Sequence, residues 1–118
     1  MSVEEALGIT DEVAIQIVKR RWSDWATDHP VLRKAKVDDL RNWLRCSDAR
    51  TVGDVMHALA CLGATDGGDD LDAAKLVAWL LVPVAGRVAS ELVSVLPDVD
   101  HLVASQLWIE VRTLNWRA

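Results

Sequence analysis

Apolar residues recur along this chain every three to four positions, and the strict alternation of a half-buried strand hardly appears. The pattern predicts an all-α fold: a single domain spanning 1–118 and built as a bundle of about five helices. Thr10 is placed to cap a first helix over 11–26, with Ala14, Ile15, Val18, Trp22 and Trp25 on one face and Glu12, Gln16, Lys19, Arg20 and Ser23 opposite. His29 and Pro30 end it, because a residue before proline is steered out of the helical region. A short second helix over 37–45 carries Val37, Leu40, Trp43 and Leu44 on one side. The third begins at Thr51, where Thr51-Val-Gly-Asp54 approximates a capping box, and ends at Gly63, read as its C-cap. Its buried side is Val52, Val55, Met56, Leu59 and Leu62.

The stretch ATDGGDD at 64–70 reads as a solvated, mobile acidic turn in which Asp70 caps the next helix. That fourth helix extends over 71–96 with Pro83 inside it. A proline there removes one backbone hydrogen bond and crowds the preceding turn at a cost of about 3 kcal/mol. The apolar sequence continues through Val84, Val88, Leu92 and Val95, which favours one continuous helix kinked at Val82–Pro83 over two separate ones. Residues 1–9 are expected to be flexible.

The last helix, capped by Asp98 and running to Trp116, is unusual in having apolar residues on two sides. Val103, Ala104, Leu107, Trp108, Val111 and Leu114 form a broad arc suited to the core. Leu102, Ile109 and Trp116 form a second line with seven-residue spacing, set apart by polar strips that contain His101, Ser105 and Arg112 on one side and Gln106, Glu110 and Thr113 on the other. Either the helix is sandwiched within its own domain, or Leu102, Ile109 and Trp116, with Arg112, face a protein partner or a second copy. Trp suits such a contact, since it buries about 150–250 Å² with few rotors to freeze.

Charge changes the picture in one segment. The chain has formal net charge −5, yet residues 19–50 hold nine basic groups against five Asp. Lys19, Arg20, Arg33, Lys34, Lys36, Arg41 and Arg45 are therefore candidates for contacting phosphates, the main source of non-specific affinity for nucleic acid. A helix-turn-helix reading of 37–62 is poor, because VGDVMHALACL offers few side chains that read base edges.

Other chemistry is thin. His57 and Cys61 are four residues apart, but the remaining zinc-ligand types, Cys46, His29 and His101, are distant and no Cys-x-x-Cys pairing exists. Asp66, Asp69, Asp70 and Asp72 lack calcium-loop spacing and the closing Glu, and the glycine-rich turn lacks the Lys of a phosphate loop. No Ser-His-Asp or Cys-His grouping can be assembled. The reading is accordingly a protein that is not an enzyme, with no catalytic residues, no metal, no cofactor and no evident small-molecule substrate. The longest apolar run, LVAWLLVPVAG at 76–86, has 11 residues where a membrane span needs about 20, so it reads as a buried core helix. Two cysteines and no secretory signal point to the cytoplasm. Six Trp, no Phe and no Tyr, with Arg outnumbering Lys, fit the codons of a GC-rich genome.

The segment Asp98-Val-Asp-His-Leu-Val, with Leu107-Trp108 and Arg112 after it, resembles the conserved helix of region 2 of sigma-70-type transcription initiation factors. The resemblance covers about 20 residues. It departs where that family carries its polymerase-binding Gln-Glu pair, here Ala104 and Ser105, and no aromatic, basic strand-opening segment follows. It implies a sigma-like helical scaffold rather than a working initiation factor. The wider layout from Trp22 to Trp116 is similar to helical proteins of unassigned function from GC-rich bacteria that end in a W-(I/L)-E-V-R-T segment. Together these give a helical protein–protein interaction or regulatory module attached to transcription, with a nucleic-acid-binding accessory protein as the alternative.

Overall fold

A computed structural model describes residues 2–96 and 98–114. Among them the chain is all-α, with six helices rather than about five and no strand: α1 (Val3–Leu7), α2 (Asp11–Asp28), 3-10 turns at Pro30–Lys34 and Val37–Asp39, α3 (Leu40–Cys46), α4 (Ala49–Gly63), α5 (Leu71–Leu92) and α6 (Val99–Arg112). The extra helix is α1. Ser2 caps it by accepting from the Glu5 amide, and Gly8 ends it in the left-handed region at φ 73°. Val3 and Ile9 are both buried. A five-residue helix is too short to print a periodic signature, which is why the pattern did not reveal it.

Thr10 caps α2 as expected, its hydroxyl accepting from the Val13 amide. The buried face is rotated slightly from the predicted one: Ile17 lies in the core with Ala14, Val18, Trp22 and Trp25, while Ile15 is exposed. The Trp22 indole N–H donates to the Leu32 carbonyl at 2.9 Å, so a buried donor is satisfied and the turn after α2 is fixed. The predicted second helix divides into the Val37–Asp39 turn and α3, which leaves Val37 exposed. α4 starts earlier than expected, because Asp48 rather than Thr51 is the cap and accepts from the Thr51 amide at 2.7 Å. Gly63 is the last residue of α4, and Ala64 takes the C-cap position. Its lack of a side chain serves packing instead: a Cβ at Gly63 would stand 2.8 Å from the Ala74 amide nitrogen in α5.

Asp70 caps α5 as expected, accepting from the amides of Asp72 and Ala73. The helix runs unbroken through Pro83 to Leu92. Its two halves do different work. Ala73, Ala74, Leu76, Val77, Ala78 and Trp79 sit in the main core with Trp25, Leu32, Val55 and Leu59. Beyond the proline, Ala85 and Ala89 join Val3, Val99 and Ala104 in a smaller second core, where small residues let α1, α5 and α6 approach closely. Leu7 and Leu107 pack against both cores and join them. By length and composition alone α5 could cross a membrane, but its first half is the centre of the protein.

Candidate interaction face

The second half of α5 buries one side and leaves another bare. Val84, Val88 and Leu92, one turn apart, are all exposed, Val88 to 45%. Val84 and Val88 stand along a groove of about 310 Å³ between α5 and α6. From α5 come Leu81, Val84, Ala85 and Val88; from α6 come Val103, Gln106, Leu107 and Glu110. Gln106 and Glu110 are the polar members, and the Gln106 amide donates to the Glu110 carboxylate at 2.8 Å.

On the far side of that polar pair lies the second apolar line foreseen on the last helix. Leu102 is 56% exposed and Ile109 is 53% exposed, so among the described residues the chain does not cover them. Trp116 lies outside the described residues. The core arc of α6 narrows to Ala104 and Val111, with Val103, Leu107 and Trp108 half-buried, while Leu114 falls beyond the helix and is exposed.

Arg112 does not join the exposed line. Its guanidinium donates to the Gly63 carbonyl at 3.0 Å and pairs with Asp69, and its side chain is only 15% exposed. The Arg112 carbonyl in turn accepts from the Thr65 amide at 2.8 Å and from the Thr65 hydroxyl at 3.0 Å. Arg112 thus ties the end of α6 to the α4–α5 turn. The acidic turn is held from the other side by Asp70, which accepts from the Trp25 indole at 3.0 Å and pairs with Arg21 at 2.5 Å. Asp72 pairs with both Arg20 and Arg21 at 3.0 Å. Burial pushes the Asp72 carboxyl up, but the hydrogen bonds and charges of those two arginines outweigh it and hold the group below its ordinary value of 3.8.

The basic segment is sorted by the same contacts. Arg20 is occupied by Asp72. Arg41 lies 3.8 Å over the Trp79 ring, donates to the Trp79 carbonyl at 2.6 Å and approaches Asp11 at 3.6 Å. The reason is Pro83: four residues after Trp79, it has no N–H to offer that carbonyl, and Arg41 supplies the missing donor. Asp11 completes the arrangement by accepting from the Trp79 indole at 2.9 Å. Lys19, Arg33, Lys34, Lys36 and Arg45 are outside the core, and among the described residues none of them forms an ion pair.

The sequence pattern singled out Leu102 and Ile109 on the last helix and did not single out the exposed residues of α5. Val84, Val88 and Leu92 were legible as the continuation of a helical stripe past Pro83, but spacing alone does not say whether a stripe has a neighbour. Compared with family models, with curated proteins and with solved structures, the chain matches none.

Proposed function

We propose that this protein is a non-enzymatic helical interaction module that receives a protein partner on the face made by the second half of α5 and by α6. The observation that carries the reading is the amount of uncovered apolar surface at this end: a groove with Val84 and Val88 in its α5 wall, Leu92 exposed one turn further on, and Leu102 and Ile109 exposed beyond Gln106 and Glu110. Isolated exposed apolar residues are ordinary, whereas a contiguous patch marks a contact site. A transcription-associated, cytoplasmic role rests on the resemblance of 98–112 to the sigma helix, and Arg112 is then a residue that positions α6 rather than one that touches the partner.

A photo-crosslinking amino acid placed at Ile109 or Val88 in cells tests this. Discrete protein adducts are expected from both positions, and Val84→Asp should remove them. The same group at Ser23, on the exposed side of α2, should give none. Equal labelling from Ser23, or labelling that survives Val84→Asp, overturns the reading.

The cations that form no ion pair among the described residues favour a second reading, an accessory protein that grips nucleic-acid phosphates through Lys19, Arg33, Lys34, Lys36 and Arg45. Five such contacts give a log–log salt dependence with a slope of at most about −4.5. Duplex DNA binding that falls this way with added salt and is removed by Lys34→Glu would support it; no measurable binding at low salt would end it.

A further inference from the structure

We infer that the cleft where the start of α2, the Val37–Asp39 turn, α3 and Trp79 of α5 meet binds a short aliphatic cation, an ammonium or guanidinium on a stem of a few carbons. The inference stands apart from the docking reading, which concerns the α5–α6 groove. Shape comes first. The cleft holds about 200 Å³, below the roughly 300–1,000 Å³ of pockets for drug-sized ligands, so its occupant is small. Ala14, Val18, Leu40 and Trp79 line it and are each more than nine-tenths buried, which makes its depth apolar. Ile15 and Val37 line it too, yet they stay 47% and 41% exposed. These two aliphatic side chains, on different elements, gain by covering a hydrocarbon stem.

Charge then selects the head group. Three carboxylates, Asp11, Asp38 and Asp39, line the cleft against one guanidinium, Arg41, which leaves a formal balance of −2. Arg41 is engaged by the Trp79 carbonyl and by Asp11, and Asp11 by the Trp79 indole. The side chains of Asp38 and Asp39 have no hydrogen bond or ion pair among the described residues. Asp39 even holds the N-cap position of α3 without capping it, although Asp is among the best capping residues. Lys36, the nearest cation along the chain, does not line the cleft. A cationic head carried on an apolar stem therefore meets two carboxylates that the fold leaves uncommitted, whereas an anionic head is repelled by them. Two sources carry that chemistry: a free alkyl amine, and a lysine or arginine side chain of another protein.

The test follows the backbone amides of 37–41 and the Trp79 indole of the isotope-labelled full chain by heteronuclear NMR. Butylammonium, which is a lysine side chain cut at Cα, is titrated beside butyrate and butanol. Butylammonium should shift these signals saturably, with butyrate weaker by about 10-fold or more and the gap closing as salt rises. Asp38→Asn with Asp39→Asn should bring butylammonium down to the affinity of butanol, and Val37→Ser should weaken butylammonium and butanol alike. All three positions are exposed, so circular dichroism should stay unchanged. Butyrate binding as tightly as butylammonium, or butylammonium binding untouched by the paired Asn substitutions, would overturn the cationic ligand. Shifts from none of the three probes would overturn the site itself. N-acetyl-lysine methylamide separates the sources: binding at least as tight as that of butylammonium assigns the cleft to a protein side chain, and exclusion assigns it to free amines.

Discussion

At the scale of single residues, Arg41 shows how a side chain's role depends on a partner far away in sequence. Read along the chain, it is one basic group among nine in a basic stretch. In the fold it caps a carbonyl that Pro83 leaves without a helix donor and covers the Trp79 ring. Neither relation is legible beforehand, because 38 residues separate Arg41 from Trp79 and no periodicity spans them. Removing the guanidinium should leave a half-buried carbonyl unsatisfied at about 1–3 kcal/mol and lose a cation–π contact worth about 1 kcal/mol. Arg41→Ala is therefore expected to lower unfolding free energy by about 2–4 kcal/mol in urea titration. In a Pro83→Ala background, where the substituted residue regains an amide proton for the same carbonyl, the loss should shrink by about 1 kcal/mol, a coupling that a double-mutant cycle reads directly. Asp72 gives a second residue-level outcome. Its folded-state carboxyl titrates below the unfolded value of 3.8, so its contribution is complete above that pH and disappears as pH falls through the folded value. The urea midpoint should drop below about pH 4, and Asp72→Asn should flatten that part of the profile.

Between elements, the close approach of α4 and α5 hangs on Gly63. As a helix residue it looks wasteful, since Ala is favoured over Gly by about 1 kcal/mol in a helix interior. Contact reverses the sign: the added methyl would meet the Ala74 backbone at 2.8 Å, and backbone cannot swing aside. Gly63→Ala should thus destabilise by about 1–3 kcal/mol, measured by thermal or urea unfolding. Gly53→Ala, where a Cβ meets nothing within 4 Å, should not. The long helices were legible in advance, because α2, α4 and α5 each repeat their apolar spacing over several turns and carry a capping Thr or Asp. Boundaries slipped where a nearby competitor took the cap, as Asp48 did from Thr51. Segment 37–45 divides into a 3-10 turn and α3, with Val37 exposed.

For the whole molecule, apolar spacing specified which residues repel water but not how many neighbours would arrive to cover them. α6 has apolar residues on two sides and α5 continues its stripe past Pro83, yet α1, the partner that fills part of this end, contributes five residues. The second core is therefore small, and the surplus of both long helices stays outside it.

That imbalance has a consequence for motion. Val55, Leu59, Leu76 and Val77 are enclosed on all sides, whereas the turns of α5 after Pro83 rest on the small second core shared with α1 and α6, past a rung of the ladder with no amide proton. Deuterium uptake should accordingly be slowest at residues 76–79 and faster by orders of magnitude at 85–92, opening without global unfolding. On the docking reading proposed above, a surface that breathes separately from its anchor can reshape to its ligand while the register of the fold is kept.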